Sequence, residues 1–264
     1  MLIQLLKALH GDAIVIKTKA GDRDLTIVVD GGPRGVAEDI ADYYQKLGDI
    51  DLMVLTHFDE DHISGLISYF KKVGTGIIPV RKFWGNCARG IDFQQDSAVS
   101  DASMRNANTL ATYLSALGKK DACYEWKEDI CVPFGYDDQD LRIDVLAPSR
   151  AVLEQLKAGY EEYLRKHPMT DEEEDTMQIA SVRVKRDEKM SIDDLTGTDE
   201  PRGLNLLNRS SIAFLLTAEG KRVLMLGDAD ADIVADHIEC MYKDSLPLDV
   251  DLVKVAYMST CSLR

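Results

Sequence analysis

A chain of 264 residues, 45% hydrophobic and 29% charged, fits one large domain with a sizeable buried core. Its net charge of −15 repels phosphate backbones and disfavours long nucleic acid as a partner unless a bound cation reverses the sign locally. The cysteines Cys87, Cys123, Cys131, Cys240 and Cys261 form no C-x-x-C pair, which argues against a thiolate zinc site and reads as reduced thiols of a cytoplasmic protein.

The N-terminus "MLIQLLKALHGDAIVIK" is apolar but lacks a signal-peptide pattern, and no run approaches the ~20 apolar residues of a membrane span. The expectation is a soluble cytoplasmic protein without membrane contact. "LIQLLKAL" reads as a strand, His10-Gly11-Asp12 as a turn and "AIVIKT" as a second strand. "LTIVVDGG" is a third strand, ending in the loop Asp30-Gly31-Gly32-Pro33. "VAEDIADYYQKLG" has helical spacing and stops at Gly48. "IDLMVLTH" is a continuous apolar strand of the buried kind, and "ISGLISYFKKVG" is the helix after it.

Further on, "IIPVRKFWG" reads as a short strand. "DASMRNANTLATYLSALGKK" reads as a long helix with Leu110, Tyr113, Leu114 and Leu117 on one face. "ACYEW" and "LRIDVLAP" are expected strands, and "AVLEQLKAGYEEYLRKH" an expected helix. From about Met169 to Arg202 the sequence is acidic and weakly apolar, and reads either as a mobile insertion or as a solvated helix and loop. A hairpin of "SSIAFLLTAEG" and "KRVLMLGDAD" turns at Glu219-Gly220, a helix spans about Asp232 to Tyr242, and "VDLVKVAY" is the last strand. This order implies two sheets with helices outside.

The chemistry concentrates in "LTHFDEDHISG". His57, Asp59, Asp61 and His62 follow the end of a buried strand, and a short loop there can fold their side chains around one point. Imidazole nitrogens and carboxylate oxygens are the ligand types for Zn, Mn or Fe. The plain alternative is a polar loop in which an aspartate such as Asp61 caps the next helix.

"THFDEDHISG" resembles the H-x-H-x-D-H-x-x-G signature of the metallo-β-lactamase superfamily of binuclear metal hydrolases, with Asp59 where the family usually has histidine. "VVDGG" resembles the family's preceding strand and loop, and "NRSSIAFLLTAEGKRVLMLGDAD" its later hairpin ending in "GD". "ALHGDAIVI" resembles the opening of the branch that includes the hydrolase domain of bacterial DNA-uptake channel proteins. The resemblance implies a four-layer αββα sandwich over residues 1–264, with the site along one edge of the two sheets. It also implies two divalent ions (Zn, Mn or Fe). His57 and Asp59 would serve the first, Asp61 and His62 the second, and Asp228 would bridge them. A metal-activated hydroxide would be the nucleophile, oriented by Asp61 as the catalytic carboxylate.

Two family ligands are displaced. His167 is the sole histidine between the first motif and Asp228, and in "LRKHPMT" it reads as a surface residue. The branch's usual K-V-x-H-H-G-S is here "KVAYMSTCSLR", so Tyr257 and Met258 stand in the histidine positions. The chain ends at Arg264, where the family usually continues, so the C-terminus reads as incomplete or degenerate and the site as holding either two ions or one. Tyr257 is a candidate contact beside the plainer reading of a rim tyrosine. His10 is a candidate ligand or substrate contact beside that of a turn histidine, and Asp30 a candidate partner orienting a metal-bound histidine beside that of an Asx turn. The expected function is metal-dependent hydrolysis of a small anionic substrate, a phosphodiester or nucleotide. The alternative is an impaired hydrolase fold acting as a binding or regulatory module. Oligomeric state is not legible.

Overall fold

The computed structural model describes residues 1–74, 79–86, 106–107, 109–110, 113–114, 131–133, 141–156 and 206–255. The segment 169–202, His167, Tyr257 and Met258 lie outside the described residues, as does the expected "ACYEW" strand.

Strands β1 (Leu2–Leu5), β2 (Ile14–Ala20), β3 (Arg23–Val29), β4 (Ile50–Val54) and β5 (Val80–Trp84) form one sheet in that order. The first three run antiparallel, and β3, β4 and β5 are parallel. Parallel neighbours need crossover connections. Helix α1 (Ala37–Lys46) joins β3 to β4, and α2 (Glu60–Val73) joins β4 to β5. The second sheet has the order β10 (Leu252–Lys254), β9 (Lys221–Met225), β8 (Ala213–Ala218), β7 (Leu141–Ala147), β6 (Cys131–Pro133). Its pairs are antiparallel except β9 with β10. The short helix α3 (Leu206–Arg209) leads into β8, and α4 (Ala231–Met241) lies between β9 and β10. The fold is therefore mixed α/β with two mixed sheets.

Side-chain alternation explains how the sheets pack. Ile14, Ile16, Ile27, Val29, Leu52, Val54 and Trp84 of the first sheet meet Ile143, Val145, Phe214, Leu216, Val223 and Met225 of the second in one buried cluster. The opposite face of the first sheet, with Val15, Val28 and Met53, packs on Ile40 and Tyr44 of α1 and Leu66, Tyr69 and Phe70 of α2. The opposite face of the second sheet, with Leu146, Leu215 and Leu224, packs on Val234 and Ile238 of α4. β4 is buried at all its positions, because both of its faces are covered.

Several boundaries differ from the sequence reading. β1 ends at Leu5, because the chain turns through Leu9, whose φ of 57° cannot continue a strand. α2 starts at Glu60, with Asp59 in the extended N-cap position, so Asp61 and His62 lie inside the first turn. β10 is confined to Leu252–Lys254. The expected turn at Glu219-Gly220 is present, with both residues at positive φ as a tight hairpin requires.

One backbone contact sets how closely α2 sits on the first sheet. A Cβ on Gly65 would lie 2.0 Å from the Gly31 carbonyl oxygen, and one on Gly31 would lie 2.4 Å from the Leu66 nitrogen. The Gly31 amide donates to the His62 carbonyl at 2.6 Å across this contact. Gly65→Ala is therefore expected to destabilise the protein by about 1–3 kcal/mol, since the obstacle is backbone and cannot rotate away. Urea denaturation checks this, and an unchanged midpoint would refute it.

Candidate metal centre

The site is assembled where chain ends from both sheets meet. The loop after β4 carries Thr56 and His57, the first turn of α2 carries Asp61 and His62, and the loop after β9 carries Asp228. The Ile212 amide donates to the Thr56 carbonyl at 2.9 Å, and Asn86 Nδ2 donates to the Ser210 carbonyl at 2.6 Å. These bonds join the first sheet's loops to the entry of β8.

Asp30 is the anchor. It is fully buried with φ of 59°, a conformation rare for a residue with a side chain. Its amide donates to the Val54 carbonyl at 2.8 Å, and Tyr44 Oη donates to its carbonyl at 2.6 Å. Its carboxylate accepts from the Thr56 amide at 2.7 Å, from Thr56 Oγ1 at 2.7 Å and from His62 Nδ1 at 2.8 Å. The last bond fixes the His62 hydrogen on Nδ1 and leaves Nε2 for the site. His57 Nδ1 lies 3.2 Å from Thr56 Oγ1. That hydroxyl already gives its hydrogen to Asp30, so it meets His57 as an acceptor. Asp30 thus orients His62 directly and His57 through Thr56.

The two imidazoles, both buried, have centroids 4.2 Å apart. His62 Nε2 is 3.8 Å from Asp228 Oδ2 and 3.8 Å from Asp61 Oδ2, and His57 Nε2 is 3.6 Å from Asp59 Oδ2. Ligand atoms of His57, His62 and Asp228 all lie within 4.8 Å of one another. Asp228 is held by its amide, which donates to Ser211 Oγ at 3.0 Å, and its buried Oδ1 has no hydrogen-bond partner. A carboxylate with one orphaned buried oxygen, grouped with two imidazoles, fits a divalent cation in its donor chemistry.

A second group, Asp12, Asp30 and His62, also converges within 4.8 Å. Here His62 Nδ1 is committed to Asp30, and Asp12 forms an ion pair with Lys254. This group is a hydrogen-bond and ion-pair network.

Electrostatics favour a cation. The carboxylates of Asp12, Asp30, Asp61 and Asp228 lie within 4.0 Å of the His62 ring nitrogens. Burial opposes the charged form of His62, but Asp30, through charge and hydrogen bond, and then Asp61 and Asp228 outweigh it, and its pKa is pushed up to about 9. Burial raises Asp61 above the usual carboxylate range, against the pull of His62. Burial likewise raises Asp12, opposed by Lys254.

A family model described as the metallo-beta-lactamase superfamily matches residues 6–145. The chain belongs to this superfamily of metal-dependent hydrolases. The match includes Asp12, Asp30, His57, Asp59, Asp61 and His62, whereas Asp228 and Lys254 lie beyond it. No curated protein matches the chain.

The family resemblance gave His57 and His62 to two ions bridged by Asp228, and the structure groups both histidines with Asp228. Asp59 and Asp61 flank them at the N-terminus of α2. His10 is exposed at the β1–β2 turn and joins neither ligand group among the described residues. Sequence reading gave no site role to Asp12, Thr56, Ser211 or Lys254. Asp12 was visible only as a turn residue, and Lys254 as a motif match without a role.

Asp30→Asn is expected to weaken metal binding by about 10–100-fold in chelator competition, because the amide cannot hold both Thr56 and His62 as the carboxylate does. The metal-free protein gives a second readout. His62 titrates at about 9 when folded against 6.5 for a free histidine, so the stability it contributes is complete below about pH 6.5 and lost as pH rises through 9. The melting temperature of metal-free protein should fall over that interval, and Asp30→Asn should flatten the fall. Parallel pH profiles of the two proteins would refute this.

Proposed function

We propose that this protein is a metal-dependent hydrolase of a small phosphodiester or nucleotide-like substrate. The observation that carries the reading is the convergence of ligand atoms of His57, His62 and Asp228 within 4.8 Å of one another, with Asp228 Oδ1 buried and without a hydrogen-bond partner. Hydrophobic clusters on both outer sheet faces and between the sheets support a helix–sheet–sheet–helix order of layers, with the site at its edge. His57, His62 and Asp228 would hold one Zn, Mn or Fe ion, and Asp59 and Asp61 stand where a second would extend the centre. When bound, the metal supplies Lewis acidity that polarises a substrate oxygen and acidifies water.

The protein's own groups set up the rest. Asp30 and Thr56 keep both imidazole Nε2 atoms turned inward. Asp61, part-exposed, raised by burial and 3.8 Å from His62 Nε2, would orient water and take its proton at Oδ2. The substrate class rests on the likeness of "ALHGDAIVI" and "KVA" to the DNA-uptake branch. The net charge of −15 favours a small anion gripped by the metal over a long nucleic acid. Among the described residues no helix is long and apolar enough to cross a membrane.

With bis(p-nitrophenyl) phosphate as probe, protein loaded with Zn, Mn or Fe should release nitrophenolate. His57→Ala and Asp228→Ala should each reduce the rate to background while circular dichroism stays unchanged. Activity retained in both variants would overturn the assignment.

A further inference from the structure

Lys254 stands outside the family match, yet its ammonium reaches both halves of the site. It lies on β10, at the edge of the second sheet. Its side chain is 14% exposed, low for lysine, and Nζ forms an ion pair with Asp12 of the first sheet's β1–β2 turn. Nζ also lies 3.5 Å from the carbonyl of Gly227, the residue before Asp228. One cation therefore bridges the turn beside His62 and the turn that presents Asp228.

The β1–β2 turn is itself pressed into the site. A Cβ on Gly11 would lie 1.8 Å from the Asp61 carbonyl oxygen, so the turn rests on the backbone of the first turn of α2. The Asp12 carbonyl accepts from the Gly32 amide at 2.7 Å, and Asp12 Oδ2 is 4.0 Å from His62 Nδ1. Gly227 adopts φ of 52°, and a Cβ there would lie 2.4 Å from Ser211 Oγ, the atom that receives the Asp228 amide. The carboxylate of Asp228 and the two imidazoles come from different sheets. Their separation depends on how these turns are tied together.

We infer that Lys254 is a positioning residue: its ion pair with Asp12 and its contact with the Gly227 carbonyl form a latch between the two sheets that sets Asp228 against His57 and His62 for metal binding. The inference rests on the metal site proposed above. Lys254 touches Asp12, which lies beside His62 Nδ1, and the carbonyl before Asp228, so it acts through the ligands' supports. The pair is largely buried, so losing one partner leaves an uncompensated charge, whereas losing both does not.

Cobalt(II) is the probe, with affinity measured by chelator competition and geometry by the visible absorption band. Wild type, Lys254→Met, Lys254→Arg, Asp12→Asn and the double variant Asp12→Asn/Lys254→Met are compared, each with a metal-free melting curve. Lys254→Met is expected to weaken cobalt binding by about 10–100-fold and alter the band, in the range seen when outer partners of a metal site are lost. Lys254→Arg should restore much of the affinity, and the double variant should be no worse than the worse single one. Cobalt affinity and band in Lys254→Met equal to wild type would overturn the latch and leave the metal site standing. A lowered melting temperature with unchanged affinity would assign Lys254 a purely structural role and also overturn it. If Lys254→Met does not fold, the double variant, which lacks the ion pair without leaving a lone charge, decides: weakened cobalt binding supports the latch and wild-type affinity overturns it. Wild-type protein that binds no cobalt would overturn the site reading, and the latch with it.

Discussion

The buried carboxylate of Asp30 is the interaction on which the rest of the site depends. A charged group with no solvent exposure is costly unless its lone pairs are occupied, and here three donors occupy them. Those donors are the backbone and hydroxyl of Thr56 and the ring of His62, so satisfying Asp30 also sets the loop after β4 and the start of α2. The strained backbone at Asp30 is held by Tyr44 and Val54, elements of the core. Core packing and ligand orientation are here one constraint, because the atoms that hold the carboxylate in the interior also aim the imidazoles.

From Asp30 the dependence runs outward. The ligand set is shared between sheets whose inner faces meet over Phe214, Trp84, Ile27 and their neighbours. Packing of that kind fixes separation well and sliding less well, since apolar contact is not directional. Directional ties sit at both ends: Ile212 to Thr56, Asn86 to Ser210 and Lys254 to Asp12 beside the site, and Thr18 and the N-terminal ammonium to Glu219 at the far ends of β2 and β8. The surplus of carboxylates around His62 would push the turns apart without cations among them. Without metal, Lys254 and a second proton on His62 supply part of that charge; a divalent metal would take the place of that proton at Nε2.

Much of this was legible in the sequence, for reasons that differ by residue. His57, Asp59, Asp61 and His62 stood out because their density in one window has few structural explanations, and Asp228 only through the family resemblance of the hairpin that leads to its "GD". The buried strand Ile50–Val54 was visible as an unbroken apolar run, and the hairpin at Glu219-Gly220 by its turn chemistry. Asp12 and Lys254 were not readable as partners, because their pairing joins opposite ends of the chain and neither residue has a local pattern that marks it. Nor did sequence distinguish the ligand face of His62 from its support face, since that depends on which nitrogen meets Asp30. The extent of β1 and β10 was overread, because an apolar run does not record where a neighbouring strand stops pairing.

The glycine contacts change how this protein would look to a survey of tolerated substitutions. Gly31 and Gly65 meet backbone to backbone, and Gly11 meets the backbone of Asp61, so no side chain of any size fits at these positions without moving the chain that carries His62 and Asp61. In an exhaustive map of variants scored by function, these glycines would rank with the metal ligands, although none has a group that can coordinate or transfer a proton. Intolerance would then outline a shell thicker than the chemistry, and telling ligand from spacer would take stability scored separately from metal affinity.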